Sequence, residues 1–398
     1  MPLSDATKAT VKATVPALEQ HGLEITRRMY ERMFRNPEIR DLFNQSHHGE
    51  TGSQPKALAT AVLAYARNID NLAVLGAAVE RIAQKHAGLL ILPEHYPHVA
   101  EALLGAIGDV LGEAATPEIL AAWGEAYWAL AEILIGREAQ IYRATAAAPG
   151  GWQGWRRFVV AERVRESDLI TSFRLRPEDG GRVLRHKPGQ YLTFRLGLPG
   201  HTLLKRNYSI SSAPDDRGYR ISVKREQGGA VSNWLHDQAG PGTVLEAAAP
   251  AGEFVLPEAP ERPVVLLSGG VGLTPLLSML EVIAARHPSL ETHWAHGALD
   301  GATQAFGERV AALAQAAPGV TATTFHEAPR PEDRGRAEPG RITPDWLRAH
   351  TPLDRADYYL CGPKPFLRVL VGGLAAAGVP AQRIHYEFFG PADELLAA

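Results

Sequence analysis

His86 lies on the apolar face of a helical run, with Val79, Ile82 and Ala83 on the same face. Neutral imidazole is a common axial ligand for haem iron. A histidine so placed also serves as an ordinary core residue bonded to a backbone carbonyl, but its surroundings favour the ligand. Tyr96 follows in Pro93-Glu-His-Tyr-Pro97, and Glu138 interrupts the apolar run of Ile133, Leu134, Ile135 and Ile141. A carboxylate reaching the imidazole nitrogen remote from iron draws its proton and makes the ring a stronger donor, and a tyrosine hydroxyl can fix that carboxylate. Such a ligand suits activation of dioxygen rather than mere binding. The opposite face of a haem needs a small polar donor. Tyr30, inward on its helix, can supply it, as can Gln54, and Phe43 and Leu58 can wall the pocket. Spacing alone does not choose between Tyr30 and Gln54, and each of the four also reads as plain core or as a solvated residue.

The second part of the chain carries two further constellations. In Arg206-Asn207-Tyr208-Ser209, strand alternation puts Arg206 and Tyr208 on one face. The tyrosine ring can cover an isoalloxazine, the arginine can neutralise a diphosphate, and Ser209 can bond near the redox nitrogen. Gly228, Gly229 and Ser232, after a strand and before a helix around Asn233–Leu235, suit a phosphate, and Pro188-Gly-Gln-Tyr191 adds an aromatic. The turn Gly269-Gly270-Val271-Gly272-Leu273-Thr274-Pro275 follows a buried strand and precedes a helix expected to start at Pro275. It is not the full dinucleotide fingerprint, yet it can present backbone N–H groups to a pyrophosphate. Cys361-Gly362-Pro363 ends another strand at the same sheet edge. Each piece alone also fits an ordinary strand or turn; their order and spacing point to FAD and a nicotinamide dinucleotide. Between His287 and Glu308 there is no Lys or Arg for a 2′-phosphate, which leans toward NADH over NADPH.

Three kinds of element must position these groups. Residues 1–146 are rich in Ala and Leu and read as helices, with Pro55, Pro93 and Pro117 at first-turn positions and a last helix over Pro117–Tyr142. Residues 147–155 form a connector punctuated by Pro and Gly. Residues 156–258 alternate as strands (Phe158–Val164, Ile170–Leu175, Gln190–Leu196, Asn207–Ser211, Tyr219–Lys224), which predicts a small antiparallel barrel. Residues 259–398 alternate buried strand and helix, which predicts a doubly wound α/β domain, with a long polar loop over Thr321–Gly340. The 398 residues exceed what one core usually serves. A net charge of -3 without blocks of like charge gives no electrostatic support for nucleic-acid or membrane-surface binding. One cysteine, and an N-terminus without a signal-peptide pattern, fit a cytoplasmic setting.

The segments Tyr30-Glu-Arg-Met-Phe34, Asp41-Leu-Phe-Asn44, Ala83-Gln-Lys-His86, Pro93-Glu-His-Tyr96, Ala122-Trp-Gly-Glu-Ala-Tyr127 and Arg137-Glu138-Ala139 resemble the globin domain of bacterial and yeast flavohaemoglobins. The rest of the chain, from residue 156 on, resembles the ferredoxin-reductase type of FAD and NAD(P) modules. The resemblance covers essentially the whole chain. It implies an all-α globin fold, an antiparallel β-barrel for FAD and an α/β domain for NADH or NADPH. It implies haem b on His86 tuned by Tyr96 and Glu138, with Tyr30, Gln54 and Leu58 facing the bound gas. Lys85 and Glu387 match positions that tune the haem–flavin interface, Cys361 and Gly362 lie near the nicotinamide, and in Glu387-Phe388-Phe389-Gly390-Pro391 the ring of Phe389 covers the flavin. The loop Ser46–Ser53, with His47 and His48, is spaced unlike the family. The implied activity is a nitric oxide dioxygenase that converts NO and O2 to nitrate without an obligatory protein partner. An O2 carrier or sensor with a housekeeping reductase, or a flavin reductase acting on other acceptors, are the other readings of the same residues.

Overall fold

The computed structural model describes residues 3–43, 53–201 and 203–390. These divide into two compact units. The first comprises the residues up to Ala147 with Gly197–Lys205 and Gly390; the second comprises Ala148–Leu196 and Arg206–Phe389.

The first unit is helical: α1 (Asp5–Ala13), α2 (Val15–Met33), α3 (Pro37–Arg40), α4 (Ser53–Arg67), α5 (Gly76–Leu89), α6 (Tyr96–Leu111) and α7 (Pro117–Ala147). Local chemistry sets the starts: the Ser4 hydroxyl accepts the Thr7 N–H at 3.0 Å, Asn36 caps α3, and proline occupies the first turns of α2, α3 and α6. Helical spacing then places Leu18, Ile25, Met29 and Met33 of α2 on one buried face. Each such apolar side chain contributes about 1.5–3 kcal/mol by leaving water. The last helix runs five residues beyond the expected Tyr142, and that extra length carries no core residue. Helix α7 is long and apolar enough to cross a membrane by length and composition alone, but here it packs against α1, α5 and α6.

The apolar interior of this unit falls into two clusters that share Leu42, Tyr127 and Leu130 at their border. One cluster gathers Ile25, Met29, Tyr30, Ile107 and Trp123, with Phe43 and Leu58 packed against it. The other cluster gathers Ala83, Ile91, Tyr96, Ala131 and Leu134.

The second unit begins with the strands β1 (Arg156–Arg165), β2 (Ile170–Pro177), β3 (Tyr191–Leu196), β4 (Leu204–Ser209, whose first two residues cluster with the helices), β5 (Tyr219–Lys224) and β6 (Val244–Ala247), and helix α8 (Ala230–Asp237). The sheet order is β4-β3-β6-β1-β2-β5, and a bridge from Ile210, just after β4, to Ile221 of β5 joins its two edges into a barrel. Phe158, Phe173, Phe194, Leu192 and Ile221 fill the interior.

Next come β7 (Val264–Gly269), α9 (Leu273–Arg286), β8 (Thr292–Ala298), α10 (Gly307–Ala316), β9 (Val320–His326), β10 (Glu338–Pro339), α11 (Pro344–His350), β11 (Asp357–Cys361), α12 (Lys364–Ala376) and β12 (Ile384–Glu387). They form a parallel sheet ordered β10-β9-β8-β7-β11-β12. The order reverses between β7 and β11, which is where ligands bind in such sheets. The expected polar loop over Thr321–Gly340 is corrected: its first part is β9, paired along its length with β8. The alternating threonines there look like loop by polarity but are good strand formers. Helix α9 also starts before Pro275, at Leu273 after a 3-10 turn over Gly270–Gly272, because proline is tolerated inside a first turn.

Buried polar groups cement the barrel to the α/β sheet within this unit. Glu281 of α9, 7% exposed, accepts from Ala213 N (2.7 Å), Arg220 (3.2 Å) and Arg309 (3.1 Å). The His186 Nε2–H reaches Ser212 O and Ser278 Oγ at 3.1 and 3.2 Å. Within the sheet itself, His296 Nδ1 of β8 meets Ser268 Oγ of β7 at 2.8 Å.

Burial lowers His186 and His296 from 6.5 to about 4 each. Both stay neutral in the fold while the unfolded chain takes up protons below about pH 6.5, so stability is full above that value and is lost as pH falls toward about 4. Unfolding free energies from denaturant titration should therefore drop between about pH 7 and pH 5, by about 1.4 kcal/mol per pH unit per histidine at most. The slope should be shallower in His186→Gln.

Candidate functional site

The sequence constellation around His86 is assembled in space. Helix α5 brings the imidazole to α7, where its Nδ1–H donates to Oε1 of Glu138 at 2.7 Å. Tyr96, at the start of α6, donates its hydroxyl to the same Oε1 at 2.6 Å and lies 3.2 Å from Nδ1. Glu138 is 2% exposed, and its other oxygen, Oε2, is buried without a hydrogen-bond partner among the described residues. A buried carboxylate is costly unless paired and hydrogen-bonded, so this one is held by His86 and Tyr96 together. Burial, and then the bond to Glu138, push the Tyr96 hydroxyl far up, so it remains a donor. With Nδ1 engaged, Nε2 is the imidazole nitrogen left to a metal.

Two residues given no role by the sequence brace this triad. The Tyr142 hydroxyl donates to Ile91 O at 2.7 Å and reaches His86 O at 3.4 Å, and the Tyr127 hydroxyl donates to Tyr96 O at 2.7 Å. The signal for Tyr142 is its spacing, one helical turn after Glu138 on the same face. Arg137 adds a two-pronged pair to Glu80, at 2.6 and 2.9 Å, joining α7 to α5. It is about one-third exposed, so its share is at most about 1 kcal/mol. Lys205, 5% exposed, donates to Leu89 O at the carboxyl end of α5 at 3.1 Å. A cation suits that end of a helix, and nothing in its sequence context separates it from an ordinary strand lysine.

Tyr30 is 8% exposed on α2, in the other apolar cluster. Burial pushes its hydroxyl well up, against the lowering effect of its hydrogen bond with Gln54. The two candidates that spacing cannot rank are therefore bonded to each other. Phe43 meets Tyr30 edge-on with ring centroids 5.9 Å apart, and Leu58 packs against the same cluster. Two adjoining apolar clusters, with an imidazole beside one and a buried hydroxyl in the other, fit a flat apolar cofactor ligated by His86. Lys85 is exposed on α5, next to His86 in sequence.

In the second unit β4 leaves Arg206 and Tyr208 part-buried on one face, with Asn207 exposed and Ser209 buried. Burial pushes the Tyr208 hydroxyl up. Gly228 has φ +72, and a Cβ on Gly229 would meet Ser232 Oγ at 2.5 Å, so this turn into α8 accepts only glycine without rearrangement. Gly229 at the N-cap has no side chain to accept from the first N–H groups of α8, which leaves them for an anion. Tyr191 is buried and pairs with Ala251. The pieces fit a flavin diphosphate.

At the sheet edge, Gly269 ends β7, Gly270 turns at φ +54, and Val271 packs against the α/β core. Leu273, Thr274 and Pro275 are buried in the first turn of α9. A Cβ on Gly272 would lie 2.2 Å from Cys361 O, and one on Gly362 would lie 2.8 Å from the Phe366 ring. The glycine turn and the Cys361–Gly362 corner are thus in backbone contact, as the sequence order suggests. Cys361 is fully buried, and burial, then Glu387, raise its thiol, which suits a small core residue. Glu387 pairs with Cys361 across β12 and β11. Phe388 is part-buried, Phe389 is 47% exposed, Gly390 clusters with the helical unit, and Pro391 lies outside the described residues.

Two outcomes are expected. Glu138→Gln removes the charge behind His86 but keeps its shape; the iron–histidine stretching frequency of the ferrous protein should fall, with activity down by roughly 10–100-fold. Gly272→Ala should force the Cys361 corner outward, lowering thermal stability and slowing flavin reduction by NADH in anaerobic stopped flow.

Comparison with known proteins matches the same divisions. The globin family model covers residues 27–134, the oxidoreductase FAD-binding domain 157–256 and the oxidoreductase NAD-binding domain 266–371. The flavohemoprotein of Xylella fastidiosa (strain 9a5c) is 55% identical, over 99% of both chains. That of Rhodopirellula baltica is 47% identical, over 99% of this chain and all of its own. The crystal structure of flavohemoglobin from Malassezia yamatoensis, with bound FAD and heme, superposes with a TM-score of 0.87 at 27% identity, covering 98% of this chain and all of that one. The FAD/NAD-binding domain of nitric oxide dioxygenase from Vibrio cholerae is 37% identical with a TM-score of 0.55, covering 59% of this chain and 99% of its own. A globin that binds haem, an FAD module and an NAD module stand here in one oxidoreductase, and the chain belongs to the flavohaemoglobin family.

Proposed function

We propose that the chain is a nitric oxide dioxygenase that detoxifies nitric oxide: 2 NO + 2 O2 + NAD(P)H → 2 nitrate + NAD(P)+ + H+. The observation that carries this reading is the shared Glu138 oxygen behind His86, because a strongly donating proximal imidazole favours dioxygen activation over storage. The name of the Vibrio cholerae neighbour agrees with it.

Haem supplies an iron centre for dioxygen, and FAD exchanges the hydride pair of the nicotinamide for single electrons. His86 would hold the iron through Nε2, while Glu138 keeps the proton on Nδ1 and Tyr96 keeps Glu138 in place. Tyr30, protonated across the working pH range, would donate its hydroxyl to the distal gas, with Gln54 fixing the orientation of that hydroxyl. Phe43 and Leu58 would keep water out. Arg206, Tyr208 and Ser209, with Gly228, Gly229 and Ser232, would bind FAD; the Gly269–Pro275 turn and Cys361–Gly362 would orient the dinucleotide. Lys85, Glu387 and Phe389 would serve electron passage, as the family resemblance implies. On this reading residues 1–146 form the haem domain, 156–258 the FAD domain and 259–398 the dinucleotide domain.

NO consumption by the purified protein with NADH and O2 should yield two nitrates per NADH. Tyr30→Phe should slow it by about 10–100-fold, and His86→Ala should abolish it. NO loss without nitrate, or NADH oxidation indifferent to NO, would overturn the assignment in favour of a carrier or of a reductase with other acceptors.

A further inference from the structure

The loops that follow β8 and β9 are knotted together at the carboxyl edge of the parallel sheet. Ala328 N donates to Leu299 O at 2.8 Å, and Asp333 accepts from Gly301 N at 3.0 Å and from Arg330 N at 2.8 Å. Inside the knot Asp300, 5% exposed, accepts from Thr303 N at 2.9 Å and from Arg330 Nε at 2.8 Å. Burial pushes the Asp300 carboxyl up, but the bonds from Thr303 and Arg330 outweigh it and hold the group below its ordinary value. Arg330 is therefore gripped by the inner edge of its guanidinium while its side chain stays 46% exposed. Among the described residues its two Nη groups meet no hydrogen-bond acceptor, though Glu332 and Asp168 attract it from a distance.

The position of this arginine follows from strand register. Gly297 of β8 lies opposite Gly269, where the glycine turn begins, and Leu299 and Asp300 follow directly. They sit one strand, about 5 Å, to the side of β7 away from β11 and Cys361. A dinucleotide whose pyrophosphate lies on the glycine turn and whose nicotinamide lies toward β11 sends its adenosine ribose to the β8 side. An unmodified ribose is usually held there by a carboxylate. The carboxylate at this place, Asp300, is turned inward and occupied. The groups that face outward are the apolar Leu299, 53% exposed, and the outer edge of Arg330.

We propose that Arg330, oriented by Asp300, binds the 2′-phosphate of NADPH, so that the chain prefers the phosphorylated dinucleotide. This reverses the lean toward NADH drawn from the lack of cations between His287 and Glu308, because the cation enters from the next strand connection. It rests on the dinucleotide site of the family and not on the nitric oxide reading.

The test is calorimetric titration of the oxidised, cofactor-loaded full chain with adenosine 2′,5′-bisphosphate and with 5′-AMP, which differ only in the 2′-phosphate. The wild type should bind the bisphosphate at least about tenfold more tightly, as a charge-assisted contact provides. Arg330→Gln should remove most of that ratio. Asp300→Asn should lower it in part, and Arg330→Lys should keep part of it. A wild type indifferent to the 2′-phosphate, or an unchanged ratio in Arg330→Gln, would overturn the proposal. Neither ligand supports turnover, so this outcome is independent of whether NO is the substrate.

Discussion

The helical unit depends on one carboxylate oxygen. Oε1 of Glu138 accepts from both His86 and Tyr96, in a place where a lone charge would be costly. The three groups constrain one another: without Tyr96 the carboxylate loses a donor it needs, and without Glu138 the imidazole loses the partner that sets its tautomer. Tyr127 and Tyr142 hold the backbone at Tyr96, His86 and Ile91, so that the donor atoms of the triad are fixed from helices α6 and α7 as well as α5. Such a rigid support fixes both the tautomer and the orientation of the imidazole.

A different constraint rules the reductase unit, where side chains matter less than the absence of them. Gly272 and Gly362 permit two backbone corners to touch at the point where the sheet order reverses. Backbone N–H groups then line the edge, and a helix starts from it. The buried ties of Glu281 and His186 hold α9 against the barrel loop at Ser212 and Ala213, so the flavin-binding strands and the dinucleotide edge share a rigid mount. Rigidity of this kind favours transfer between two cofactors, since each must keep its position without the other.

Much of this is legible in the chain alone. Helical spacing places His86 and Tyr30 on inward faces, alternation places Arg206 beside Tyr208, and glycines mark the turns that a phosphate can approach. These patterns are local: a helix or strand repeats within a few residues, and a positive φ demands glycine whatever the rest of the fold does. Local rules also err locally. Threonine-rich β9 reads as loop, because polarity resembles exposure until a neighbouring strand takes up the hydrogen bonds.

Tertiary structure decides matters that no local rule addresses. It chose the partner of Tyr30 by bringing Gln54 to its hydroxyl, it drew Gly197–Lys205 to the helices so that Lys205 caps the helix of His86, and it buried Asp300 so that Arg330 faces outward. Each is a contact between residues far apart in the chain. Its energy depends on a shared burial and on a distance of about 3 Å. The sequence by itself determined the kinds of domain, their order and the chemistry they carry, because these are written in periodicity and residue type; which groups meet, and which charges face outward, is settled only when the chain has closed on itself.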